Sequence, residues 1–349
     1  MKAILTILLC FTTAASLSAV ESYVPAKPLI VDETWRWSEL EALIPYTVRD
    51  AVEAPDGTIW FGVVGGLIEF DGYTAKPHWL TEDGFEDRAV TSVIAASDGN
   101  VYALIRDHIV RLRQGKWESL LTTDYTGFGN NRADEARDGS IWFGVNAGLF
   151  RSVNGKVEPV SCELESITSL IVDQNNRLWV SSASEGCVLG YQLSAETGLP
   201  QGEPFRIEWQ PEGYPSFAVL GEGLDGGVWI AANSATHAFQ YVDGHKRNVL
   251  LQSWHELLDS KVEYIFERPE GELWIIARGE LLIQNGGKWI KRNPNRYYSD
   301  IPFATLLDNE HLILGGRNDS VHQFDFSGER WKTYSNLSYQ CQDVSGAWW

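Results

Sequence analysis

Cysteine is scarce, with four residues among 349, and methionine occurs once, at the first position. No two cysteines stand at CxxC spacing, so a zinc ribbon or a dithiol redox motif has no basis in this chain. The seven histidines, His78, His108, His237, His245, His255, His311 and His322, form no HxH or HExxH pair, and histidines in turn-rich segments read first as exposed turn residues. No stretch carries the alternating oxygen ligands ending in glutamate that a calcium loop needs, and turn chemistry already accounts for the many Asp-Gly pairs. No cofactor is implied. Positive charge is short as well: 28 Lys and Arg face 47 Asp and Glu, for a formal net charge of −19. A field of that sign repels phosphate backbones and anionic lipid heads, which speaks against a nucleic-acid partner. Helical patterning is missing too, since the gaps between turn signals leave room for short strands, and only Trp254-His255-Glu256-Leu257-Leu258 hints at a helical turn.

One apolar run does occur. After Met1-Lys2 the chain is uncharged from Ala3 to Ala15 and then small at Ser16-Leu17-Ser18-Ala19, the pattern of a secretory signal peptide over residues 1–19. A spanning helix needs about 20 apolar residues, and Glu21 follows almost at once. The expectation is cleavage near Ala19 and a periplasmic or secreted chain without membrane insertion. Leu9 before Cys10 does not suit lipid attachment at that thiol. Three cysteines then remain, Cys162, Cys187 and Cys341, in a compartment that permits disulfides. Cys162 and Cys187 flank a single repeat and are the candidate pair, subject to geometry that sequence does not supply.

What the chain has in quantity is internal repetition. A turn pair followed by an apolar or aromatic anchor recurs at Asp56-Gly57-Thr58-Ile59-Trp60-Phe61-Gly62, Asp98-Gly99-Asn100-Val101-Tyr102 and Asp138-Gly139-Ser140-Ile141-Trp142-Phe143-Gly144. It continues at Asn175-Asn176-Arg177-Leu178-Trp179, Asp225-Gly226-Gly227-Val228-Trp229 and Glu270-Gly271-Glu272-Leu273-Trp274, with a worn copy at Asn309-Glu310-His311-Leu312-Ile313. The anchors recur every 40 to 50 residues or so, the length of one four-stranded propeller blade.

Asp-Gly and Asn-Asn accept the positive φ of a tight hairpin, so each pair should link two antiparallel strands. A second turn follows at Asp71-Gly72, Gln114-Gly115, Asn154-Gly155, Asp243-Gly244, Gly286-Gly287 and Ser327-Gly328. Each unit thus reads as four strands joined by turn, loop and turn. One such sheet cannot bury both of its faces, so the units must pack face to face in a ring. The expected fold is all-β, a propeller of about seven four-stranded antiparallel blades over residues 45–335, with the tryptophans filling the gaps between blades. The segment 20–44 holds Glu33-Thr34-Trp35-Arg36-Trp37, which suits an outer strand. The segment 336–349 suits either the start of a further blade or a part in closing the ring. Both alternatives stay open at this level.

At Asp138 through Leu149, and again at Asp56 through Leu67 with Gly65-Gly66-Leu67, the chain resembles the two-component regulator propeller repeat. The resemblance covers about residues 45 to 335 and is closest in the first and third units. It implies a periplasmic, sensor-like recognition module, here without kinase parts, acting on a small-molecule or oligosaccharide ligand and signalling through a membrane protein. Streptogramin lyases share comparable turn-Trp repeats, which makes a propeller lyase or hydrolase the alternative.

Function on such a ring belongs to the face that carries the loops between second and third strands and between blades. Those loops hold Arg88, Arg106, Arg132, Asn146, Tyr214, Asn233, Arg278, Tyr297 and Arg317. Guanidinium forks bind carboxylates and tyrosines stack on sugar rings, so an anionic small molecule or oligosaccharide is the ligand class expected. The competing reading pairs these arginines with neighbours such as Asp87 and Asp300. No catalytic residue and no metal ligand is assigned.

Overall fold

The computed structural model describes residues 30–123, 132–182, 185–208, 218–232, 238–242, 244–248, 262–269, 271–277, 280–285, 288–292, 303–307, 310–315 and 320–327. Its strands form seven four-stranded antiparallel sheets, and the chain is a seven-bladed β-propeller. The innermost strands of blades 1 to 7 are Val48–Glu53, Ser92–Ala95, Ala133–Glu135, Ile167–Val172, Ala218–Glu222, Val262–Glu267 and Phe303–Leu307.

The turn pairs do what their chemistry requires. Gly57, Gly99, Gly139, Gly226 and Gly271 all have positive φ, and Asn176 takes the left-handed conformation at φ 58° where the fourth blade lacks a glycine. The aspartate at the head of the turn fixes it from the side: Asp56 Oδ1 accepts the Thr58 N–H at 3.0 Å and Asp98 Oδ1 the Asn100 N–H at 2.9 Å.

Packing follows the seams between blades. Seven apolar clusters are present, and each joins residues of two successive blades. Trp142 of blade 3 packs with Leu170 and Leu178 of blade 4, and Trp179 of blade 4 with Leu220 and Ile230 of blade 5. Trp274 of blade 6 packs with Leu312 and Phe324 of blade 7, whose own anchor, Ile313, packs back onto Phe61 of blade 1. The anchors are therefore the glue between sheets. Trp142, Trp179 and Trp274 are fully buried, whereas Trp60 is half-buried. Close approach of sheets also explains the glycine after the Trp-Phe pair: a Cβ on Gly62 would stand 2.8 Å from Val90 Cγ1, and one on Gly144 would collide with Ile167.

The ring closes through the N-terminal segment. Trp37–Glu39 pairs antiparallel with Val321–Asp325 and supplies the outermost strand of blade 7, with Trp37 opposite Phe324 and Glu39 opposite His322. The Trp37 and Phe324 rings lie 4.7 Å apart, and Arg36 Nη1 donates to the Asp325 carbonyl at 2.9 Å. Arg292 on the outer strand of blade 6 grips Asp32 with both Nε and Nη2, at 2.7 and 2.9 Å. Residues 336–349, the other closing candidate, lie outside the described residues, as does Trp254–Leu258.

Candidate functional site

Two regions of the ring concentrate polar chemistry: the loop face and the wall of the central channel. On the loop face, the turns of neighbouring blades are stitched by backbone bonds. Gly65 N donates to the Arg88 carbonyl at 2.9 Å and Ser166 N to the Asn146 carbonyl at 3.1 Å, while within blade 3 Gly144 N donates to the Arg132 carbonyl at 2.8 Å. Arg88 and Asn146 are thereby held at the seams of blades 1–2 and 3–4.

Their side chains differ in role. Arg106 and Asn146, each in the turn between second and third strands, are exposed. Arg88 is one-third exposed and forms an ion pair with Glu86. Arg132 is fully buried; its Nη2 donates to Thr91 Oγ1 at 3.1 Å, and its charge faces Asp50. An enclosed guanidinium offers no surface to a ligand, so Arg132 supports the rim from beneath it. Tyr214, Asn233, Arg278, Tyr297 and Arg317 lie outside the described residues. Cys162 and Cys187 carry free thiols in the same cluster at the seam of blades 3 and 4, where the Tyr191 hydroxyl donates to Cys162 Sγ at 3.5 Å. Burial pushes the Cys187 thiol above its ordinary pKa.

The channel wall encloses a cavity of about 210 Å³ lined by Asp50, Ser92, Asp134, Glu222, Tyr264 and Thr305, among others. Register shifts in the inner strands of blades 1, 4 and 6 fall at matching places, between Val48 and Asp50, Ile167 and Ser169, and Val262 and Tyr264. A bulge there re-aims the following side chain, which sets Asp50 and Tyr264 at the wall. Asp50 and Asp134 each take two backbone N–H bonds, one from the next blade. Desolvation outweighs those donors and raises both carboxyl groups to about 7. Glu222 is also raised, by burial, and Tyr264 is pushed up to about 12 for the same reason.

Further carboxylates bind across seams in the opposite sense. Glu135 Oε2 accepts the Ser97 N–H at 2.8 Å, Glu222 Oε1 the Gln174 N–H at 2.8 Å, and Glu267 Oε2 the Leu224 N–H at 3.3 Å. Together with Asp50 and Asp134, they place a carboxylate-to-backbone bond on each of five successive seams, from blades 1–2 to blades 5–6. None of these acids was singled out from sequence. The glutamates had a signal: Glu53, Glu135, Glu222 and Glu267 each stand three residues before the turn residue of their unit. Asp50 and Asp134 had none: the positions aligned with Asp50 are Ser92, Arg132, Ser169, Val219, Tyr264 and Phe303, those aligned with Asp134 include Val52 and Ile94, and neither set shares the carboxylate.

Among the described residues no group of three or more His, Cys, Asp or Glu is placed to hold a metal ion. His78 Nε2 meets Glu69 Oε2 at 2.8 Å on the outer side of blade 1, and His108 Nδ1 lies 3.2 Å from both Ser119 and Thr122 hydroxyls.

No family model and no curated protein matches the chain. Solved structures do. A catalytically inactive virginiamycin B lyase from Staphylococcus aureus with quinupristin aligns at a TM-score of 0.65 and 14% identity, covering 83% of this chain and 98% of that one. The extracellular domain of a putative hybrid two component system from B. thetaiotaomicron aligns at a TM-score of 0.63 and 14% identity, over 87% of this chain and 42% of that one. YCF48 from Cyanidioschyzon merolae aligns at 0.59 and 12%, over 84% and 99%. At such identities the likeness is one of architecture: this chain shares its propeller fold with a lyase, with the ectodomains of two-component proteins and with YCF48.

Proposed function

We propose that the chain is an exported ligand-recognition propeller, sensor-like in the manner of two-component ectodomains, and that it binds on the loop face of blades 1 to 4. The observation that carries this reading is the position of Arg88 and Asn146 at stitched seams, with exposed Arg106 in the corresponding turn of blade 2 and a buried Arg132 nearby, in a chain of net charge −19. Cationic forks on a rim surrounded by acidic surface select anionic groups close to it. The ligand class is an anionic small molecule or oligosaccharide, and the output passes to a membrane signalling protein. The apolar start of the chain and the likeness to extracellular domains support export.

The test is a thermal-shift screen of the purified chain against acidic and neutral oligosaccharides, since a ligand that binds only the folded state raises its melting temperature. A shift with acidic sugars that is lost in Arg106→Ala and Asn146→Ala supports the rim. Shifts that survive both substitutions would place binding elsewhere. Turnover of any screened compound, abolished by replacing a single His or Glu, would replace this reading with the lyase alternative.

A further inference from the structure

Blades 1 and 3 each send one aspartate across the channel wall to the next blade. The Asp50 carboxylate accepts the Val93 N–H of blade 2 at 2.8 Å and the Ala51 N–H of its own strand at 3.0 Å. Asp134 accepts the Val172 N–H of blade 4 at 2.7 Å and the Glu135 N–H at 2.8 Å. Both side chains line the same cavity of about 210 Å³. Asp50 is 7% exposed, and Asp134 is half-buried.

The groups that face them come from every neighbouring element. Asp50 sees the Ser92 hydroxyl of blade 2 and the Arg132 guanidinium of blade 3. Asp134 sees two like charges, Glu222 of blade 5 and Glu135 beside it. Tyr264 of blade 6 stands among Asp50, Asp134 and Glu222, with its hydroxyl bonded to the Leu306 backbone. The inner strands packed directly against the two aspartates, Ser92–Ala95, Ile167–Val172 and Phe303–Leu307, carry no ionisable side chain. Among the described residues, the Arg132 charge thus faces Asp50, while Asp50, Asp134 and Glu222 line a single small cavity.

We propose that Asp50 and Asp134 form a proton-operated joint between blades: protonated, they seat as neutral hydrogen-bonding groups in the channel wall, and ionised, they loosen the seams of blades 1–2 and 3–4 by repulsion and desolvation. Each carboxyl group keeps a carbonyl oxygen to accept its partner N–H when protonated, and at Asp50 the Ser92 hydroxyl is in place to share the added proton. Burial raises both groups from 3.8 to about 7. A folded-state pKa above the unfolded one means that the native chain holds protons the unfolded chain has released. Stability from this source is full below the unfolded value, falls as pH rises from about 4 to about 7, and is absent above that.

The experiment is a melting-temperature profile between about pH 5 and about pH 8 for the whole chain, for Asp50→Asn, Asp134→Asn and the double variant, and for an exposed control with the same charge change, Glu82→Gln. The control removes the general effect of net charge on the profile. The expected result is a wild-type melting temperature that falls toward neutral pH, a parallel profile for Glu82→Gln, and a flattened one for Asp50→Asn and more so for the double variant. Aspartate variants that run parallel to the control would overturn the joint. If they do not fold, carboxyl carbon NMR of the wild-type chain decides: two aspartates titrating near neutral pH sustain the proposal, and all aspartates titrating at ordinary acid values reject it.

Discussion

Glu222 of blade 5 holds the Gln174 N–H of blade 4 at 2.8 Å, and the Gln174 side chain answers by donating Nε2 to the Leu224 carbonyl of blade 5 at 2.9 Å, across a seam also packed by apolar side chains. The same relation recurs between Glu135 and Ser97 and between Glu267 and Leu224. Blades are separate sheets, and no ladder of backbone bonds runs between them. These glutamates provide a directional link where the hydrophobic contact provides only adhesion.

Glu222→Ala should cost about 1 kcal/mol, the net worth of one such bond at a partly solvated site, while Glu222→Gln, which keeps an acceptor, should cost less. Because Glu135 and Glu267 serve different seams, Glu135→Ala and Glu267→Ala combined should come close to the sum of the single effects. Urea midpoints at constant slope measure both statements. Strong non-additivity would show that the seams are coupled.

The anchors should rank by enclosure. Trp179 is fully buried, donates Nε1 to Asp173 Oδ2 at 2.9 Å and meets Tyr241 edge-on at 5.7 Å. Trp179→Ala should destabilise the fold by about 3–5 kcal/mol, since it opens a cavity and also strips Asp173 of a donor. Trp60, only half-buried, should cost clearly less when truncated. Equal losses at the two sites would mean that burial is not what the anchors contribute.

Gly144→Ala should destabilise by about 1–3 kcal/mol through overpacking against Ile167. Placed in an Ile167→Ala background, the same change should cost clearly less, because that background lacks the Cγ2 methyl that the new Cβ would meet. A smaller cost measured by thermal melting separates a steric cause from a loss of backbone freedom, which the background could not repair.

Much of this architecture could be read before any coordinates, for a physical reason: hairpin turns need particular residues at particular φ, and a ring of like blades repeats that need seven times. The glycines and Asn176 were visible as such, and so were the anchors, whose large apolar surface has one use in stacked sheets. Closure was not. The pairing of Trp37 with Phe324 joins segments at opposite ends of the chain with no turn between them, and Trp37-Ser38-Glu39 is too short to show alternation. Burial of Arg132 was equally silent, since an arginine before a strand reads alike whether it points out to water or inward to Thr91. The channel acids escaped notice because their positions repeat in geometry and not in residue type.

Truncation of the N-terminal segment through Glu39 should expose the edge of Val321–Asp325 and the face of Phe324. An unpaired edge beside an uncovered ring favours pairing with another chain. Lower thermal stability together with dimers or larger species in size-exclusion chromatography is the expected outcome. Trp37→Ala should reproduce the loss of stability with less self-association, because the strand itself remains to pair.

The closing strand also fixes an order of events. Trp37–Glu39 is made before every blade, yet its partner, Val321–Asp325, belongs to the last blade completed. Six sheets can assemble while the chain is still being synthesised or threaded through a membrane, but the seventh waits for the far end. For that whole interval the leading segment has no place to go, and Arg36, Trp37 and Asp32 are held in reserve. Topology thus makes completion of the ring the slow, nonlocal step of assembly, and whatever binds the leading segment early delays the whole molecule.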